Sequence, residues 1–279
     1  MKLSISNIAW HAEEDSTVYD LMIKHGFSGL EIAPTRFFEK PYSANKEDIE
    51  KIRSEIEARG LEVVAMQSLH YGKSGLSLFE CEEQRAAMLE YTKDAVLFAE
   101  KIGAKLLVFG SPKLRVSNNI EKDYAIAVEF FDELGSFASS HKCCVCIEPN
   151  PKEYNTNFIN HTSEALKLVK DVDNDGFGLH IDMGTIIINN EDLDAVDEAM
   201  DYIKHIHISS PFLNEINEDD IELHEKLNKI LDNKNYSNYV SIEMRRQDKA
   251  IEKIDDALKY VSKVFGGKTF ERQLGNSKT

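Results

Sequence analysis

Basic residues are scarce in this chain. It carries 33 Lys and Arg against 49 Asp and Glu, a formal net charge of −16. Nucleic acids are held by an excess of Lys and Arg facing phosphates, so no nucleic-acid partner is expected. The acidity serves solubility and leaves room for a local basic pocket. Long apolar runs are missing as well. No stretch approaches the roughly 20 apolar residues that cross a bilayer, and the opening MKLSISNIAWHAEED lacks a charged segment followed by a long apolar one. No membrane association and a cytoplasmic location are therefore expected. Cysteine is limited to Cys81, Cys143, Cys144 and Cys146. The Cys143–Cys146 spacing imitates a metal-binding pair, but CCVCIE reads as a strand, in which residues three apart point to opposite faces. Buried free thiols are the expectation.

What is present is a repeating alternation. Eight short aliphatic runs occur: LSISN from Leu3, GLEIA from Gly29, LEVVAMQ from Leu61, AKLLVF from Ala104, CCVCIE from Cys143, GFGLHID from Gly176, IKHIHIS from Ile203 and YVSIE from Tyr239. A polar loop and then a helical pattern follow each run. Alternating strand and helix implies a parallel sheet, and eight such units in 279 residues imply a single α/β domain, a closed (β/α)8 TIM barrel over residues 1–265. A polar, frayed tail is expected over 266–279. Gly26, Gly60 and Gly103 each stand between a helical stretch and the next strand, where a left-handed helix C-terminus needs glycine. The helix after the second strand is expected to begin near Ser43 and to bury Ile49, Ile52 and Ile56. Long polar loops after the third and fourth runs lie on the face where such barrels bind substrate.

The last four runs end alike. They close on Glu148 in CIEPNP, Asp182 in LHIDMG, His207 in IHISSP and Glu243 in SIEMRR. Strand C-termini of a parallel barrel share one rim, so inward side chains there converge. Three carboxylates brought together repel unless a cation lies between them. Three oxygens and one imidazole suit one divalent metal ion, Mn2+ in the first place, with Mg2+, Co2+ or Zn2+ also accommodated. Any one of these acidic residues alone reads equally well as a helix cap, and a lone strand histidine as a core residue. Four at matching strand ends read as a metal site. His180 and His205 lie two residues earlier in their strands, one layer deeper, and are expected to support ligands by hydrogen bonding or to fill the core rather than to bind the metal themselves.

The chain resembles the xylose isomerase-like TIM barrels, the broad group of sugar and sugar-phosphate isomerases and epimerases that also includes endonuclease IV. SISNIAW, GFSGLEIAPT and above all IEPNPKEYNTNFI carry the resemblance, which extends over nearly the whole chain. For the ketose 3-epimerase type it implies a metal held by Glu148, Asp182, His207 and Glu243, with the two Glu also acting as acid and base, and homo-oligomers as a common state. The chain departs from that type in having Thr185 where a His is usual, Ser210 where an acidic residue is frequent, and no Arg in SSPFLNEIN. The additional ligands of a three-metal nuclease are not evident.

These residues suggest proton abstraction beside a carbonyl, with Glu148 and Glu243 working on opposite faces of a small sugar or sugar phosphate through an enediolate. Epimerisation and aldose–ketose isomerisation stay open. So do a metal-dependent lyase or dehydratase acting on a keto-polyol and a non-catalytic sugar-binding barrel. Asn7, Trp10, Gln67, His70, Lys113, Arg115 and Arg245 are the expected substrate contacts. The arginines and lysine read equally well as solvated loop charge, and Trp10 equally well as a cover over the core.

Overall fold

The computed structural model describes residues 1–267. All but the first two residues of the expected tail lie outside that range. The eight strands are β1 (Lys2–Ser6), β2 (Gly29–Ile32), β3 (Glu62–Met66), β4 (Leu106–Phe109), β5 (Cys144–Ile147), β6 (Phe177–Asp182), β7 (Ile203–Ser209) and β8 (Tyr239–Glu243). They pair in parallel in sequence order, and β8 closes on β1. Each expected run is a strand, and the fold is the closed (β/α)8 barrel. The helices around it are α1 (Asp15–Lys24), α2 (Lys46–Glu57), α3 (Glu82–Ile102), α4 (Ile120–Ser140), α5 (Thr162–Val172), α6 (Met183–Asn189), α7 (Asp194–Ala199), α8 (Ile221–Asn233) and α9 (Ala250–Phe265). None is long and apolar enough to cross a membrane.

Gly26, Gly60 and Gly103 all have positive φ, as their place at helix ends requires. Ile49 and Ile56 are buried and Ile52 packs against the core. The start of α2 differs from expectation. Pro41–Ser43 forms its own short turn, and Asn45 caps the helix by accepting from the Asp48 amide at 2.8 Å. The four cysteines are free thiols.

The strands are buried on both sides, and the two sides differ. Leu3, Ile5, Leu30, Ile32, Ile181, Ile206, Ile208, Val240 and Ile242 belong to the main core, which includes residues of the surrounding helices. The alternate residues face the barrel axis, and many are polar. Ser4, Ser6, Glu31, His180, His205, His207 and Ser241 are all inaccessible to solvent. Such interiors are usually filled by branched aliphatic side chains, so a polar one needs a use. The strand register shifts between Leu30 and Glu31 and between Leu179 and His180. Bulges of this kind re-aim the side chains that follow them.

Candidate metal centre

β5 to β8 deliver one donor each to the same part of the rim. Glu148 directly follows β5, Asp182 and Glu243 end β6 and β8, and His207 lies in β7 beside Asp182. One ligand atom from each of the four lies within 4.8 Å of all the others. Glu148 keeps 12% of its side chain exposed, and the other three residues are buried. The expected four residues are therefore brought together.

Each is held by its neighbours. Asp182 caps α6, with Oδ1 accepting from the Thr185 amide at 2.7 Å and Oδ2 from the Ser209 hydroxyl. Glu148 Oε2 accepts from Asn150 Nδ2 at 3.0 Å. A Cβ on Gly110, just past β4, would lie 2.3 Å from that same oxygen, so a larger residue there would push this carboxylate out of its place. His207 Nδ1 faces Glu243 Oε2 at 3.1 Å and Glu148 Oε1 at 3.9 Å.

The electrostatics follow from crowding. Burial, then the charges of Glu243 and Asp182, push the Glu148 carboxyl up to about 8. Burial, then Glu243, raises Asp182. Burial opposes charge on His207, but Glu31 and Glu243 outweigh it and hold its pKa well above the ordinary histidine value. The cluster thus retains protons that a cation would displace. A divalent ion fits these residues: Nδ1 of His207 is buried without a hydrogen bond, and it faces carboxylates that repel one another.

Glu31 is the residue of the candidate site that sequence reasoning missed. It reaches across the barrel from β2, and its two oxygens meet His207 Nε2 at 3.0 and 2.9 Å. The Ser241 hydroxyl donates to it at 2.8 Å and His205 Nε2 lies at 3.4 Å. Burial opposes its ionisation, yet His207 and His205 hold the carboxyl well below the usual range. A carboxylate gripping one ring nitrogen sets the direction of the other, the arrangement that orients metal-bound histidines. One signal was available: a Glu inside a four-residue strand otherwise made of Gly, Leu and Ile must find a partner when buried. Tyr154, in the loop after β5, accepts from the Phe212 amide at 2.9 Å, and burial pushes its hydroxyl up to about 12 against that hydrogen bond. His180 is kept neutral by burial and by His207 and His205, with its Nε2 3.7 Å from Glu148.

The expected substrate contacts divide. Arg115 is corrected. It is wholly buried, and its five N–H groups donate to the carbonyls of Gly110, Phe158, Ile159 and Glu148 and to Asn150 Oδ1. No donor remains for a substrate; Arg115 instead staples the IEPNPKEYNTNFI loop over β5. His70 has both ring nitrogens engaged, by Ser111 at 2.9 Å and Thr92 at 2.8 Å, and burial lowers its pKa to about 4, so it anchors loops as a neutral ring. Gln67 is buried and donates to Ser6. Asn7 accepts from the Ala33 amide, and its Nδ2 is a buried donor without a partner. Trp10 is buried, with its indole N–H bonded to Asp15, and lines a cavity at the mouth. Lys113 and Arg245 are exposed.

The family of xylose isomerase-like TIM barrels matches residues 19–264, and the chain belongs to it. No curated protein matches. Among solved structures, a D-psicose 3-epimerase crystallised in the presence of D-fructose is 18% identical, with a TM-score of 0.78 over 96% of this chain and 100% of that one. The IolI protein with a binding zinc atom is 18% identical, with a TM-score of 0.73 over 95% and 98%. The probable 3-DHS dehydratase AsbF from Bacillus anthracis is 16% identical, with a TM-score of 0.67 over 96% and 100%. At these identities the likeness is one of fold.

Three outcomes follow for the site. Glu31→Gln lowers divalent-metal affinity by about 10- to 100-fold in calorimetric titration; an unchanged affinity would show that Glu31 does not orient His207. Below about pH 8 metal binding releases at least one proton, so apparent affinity rises about tenfold or more per pH unit between roughly 6 and 8. In the metal-free folded protein the raised Glu148 pKa means more protons bound than in the unfolded chain between about 4.5 and about 8. This group therefore lowers stability as pH rises through that window. Melting curves against pH, with and without Mn2+, read that loss and its recovery.

Proposed function

We propose that this protein is a divalent-metal-dependent isomerase or epimerase acting on a small sugar or sugar phosphate, with Glu148 and Glu243 as its acid and base. The observation that carries this reading is the convergence of Glu148, Asp182, His207 and Glu243 at the mouth of the barrel. Family membership and the fold likeness to a ketose epimerase support it.

Mn2+ is the metal we favour, with Mg2+, Co2+ and Zn2+ fitting the same donors. When bound, such an ion supplies Lewis-acid stabilisation of the negative charge that grows on the substrate oxygens as an enediolate forms. The residues do the rest. Asp182 is fixed by Thr185 and Ser209 and serves as a holding carboxylate. Glu148 and Glu243 come from β5 and β8, with the two intervening strands between them, and approach the substrate from two sides. One takes the proton beside the carbonyl and the other returns it to the opposite face, which inverts that carbon. Return to the neighbouring carbon by a single group gives isomerisation instead. Asn7, Gln67 and Lys113 supply hydroxyl recognition, and the unpartnered Nδ2 of Asn7 is a donor in want of such a group.

The Mn2+-loaded protein is expected to bind about one ion per chain and to exchange substrate C–H for solvent deuterium in a panel of ketoses and ketose phosphates. Glu148→Gln and Glu243→Gln each lower that exchange at least about 100-fold. Full exchange in either variant with the metal retained would overturn the assignment. The same mass spectra separate a dehydratase, because its product is lighter by one water.

A further inference from the structure

A cavity of about 560 Å3 opens on the same rim as the metal centre, on its other side. Its lining comes from the loops that follow β1, β2, β3 and β8. Arg245 lies two residues past Glu243, so by chain geometry its Cα is no more than about 7 Å from that of the ligand. The charged side chains that line the cavity are Arg36, Arg245 and Arg246, with His11 beside them, and no carboxylate lines it among the described residues. In a chain of net charge −16 this is a local reversal of sign.

The arginines are only partly neutralised. Arg36 is bound to Asp15 at 2.8 Å, and Asp15 also takes the Trp10 indole N–H at 2.6 Å. That arrangement fixes the Arg36 guanidinium and leaves its Nε–H buried without a partner. Arg245 donates to the neutral Asn214 amide at 2.8 Å. Arg246 has its nearest carboxylate, Glu14, at 4.0 Å. Trp10 and Tyr71 supply apolar wall beside them. Guanidinium groups in such number, next to an aromatic surface, fit a sugar carrying an anionic group.

We infer that this cavity is a subsite for an anionic group on the substrate, a phosphate ester or a carboxylate, seated on Arg36, Arg245 and Arg246 while the reacting carbon lies at the four-residue centre. The inference rests on the reading of that centre as the reacting site. It narrows the substrate class to sugar phosphates or sugar acids.

Trp10 is the chain's one tryptophan, and it stands in the wall of the cavity. Its emission, checked by calorimetry, reports binding in metal-free and Mg2+-loaded protein alike. The probes are D-fructose, D-fructose 6-phosphate, D-gluconate and inorganic phosphate. At least one of the anionic sugars is expected to bind about tenfold or more tightly than D-fructose, with a preference that shrinks as salt is raised. Preference for D-fructose 6-phosphate and inorganic phosphate identifies a phosphate ester; preference for D-gluconate identifies a carboxylate. The double variant Arg245→Met/Arg246→Met, with unchanged melting temperature and metal stoichiometry, is expected to lose that preference by about 10- to 100-fold. Equal binding of D-fructose and both anionic sugars overturns the inference, as does a preference that survives in the double variant. Either result leaves metal binding and deuterium exchange intact if the centre is as proposed. Anion binding by a protein that takes up no metal sinks the isomerase reading and not this subsite.

Discussion

The hydrogen bond between Glu31 and His207 is the interaction on which the mouth of this barrel depends. It joins β2 to β7 through the barrel axis, in a space closed to solvent. A carboxylate in that position is strongly unfavourable unless it is paired and hydrogen-bonded. Glu31 is both: it has His207 at 2.9 Å, Ser241 at 2.8 Å and His205 at 3.4 Å. With Nε2 committed downward, the ring has a single direction left for Nδ1, up toward Glu148 and Glu243. The polar interior of the strands then has a reason. Ser241 and His205 occupy positions where aliphatic residues would pack well, and they are there to keep Glu31 charged.

A second set of contacts holds the carboxylate side of the centre. Arg115 donates to the Glu148 carbonyl and to Asn150 Oδ1, and Asn150 Nδ2 in turn donates to the Glu148 carboxylate. The guanidinium therefore acts on the candidate acid/base group through one intervening amide. It also binds the carbonyl of Ile159, a β-branched residue at φ 59°. Such a conformation is costly and persists only where surrounding contacts over-determine it. The Arg115 donors supply those contacts.

The barrel and the four convergent residues were legible in the chain because both depend on local pattern. Strand runs, glycines at helix ends and a donor closing each of the last four strands are all visible within a few residues. What was not legible depends on distant closure. Arg115 was expected at the substrate because it sits in a polar rim loop. Its inward turn is decided by Phe158 and Ile159, more than forty residues later. Glu31 looked like one more residue of a short strand, because its partner lies across the barrel and 176 positions away. His70 was open to the same error: Thr92, one of the two groups that engage it, lies on α3.

The rim is thus divided by charge. Three carboxylates crowd together at the ends of β5, β6 and β8, while Arg36, after β2, and Arg245 and Arg246, after β8, line the neighbouring cavity. Both features are local and opposite in sign, so they act on a ligand as a pair. An anionic group is repelled by the carboxylates and attracted by the guanidiniums, which favours one orientation of a short polyol over its reverse. A neutral sugar receives no such instruction from charge. Orientation of this kind needs only a bound substrate of fixed length. An anion seated at Arg245 would set the reacting carbon by its distance to Glu243, two residues back in the chain.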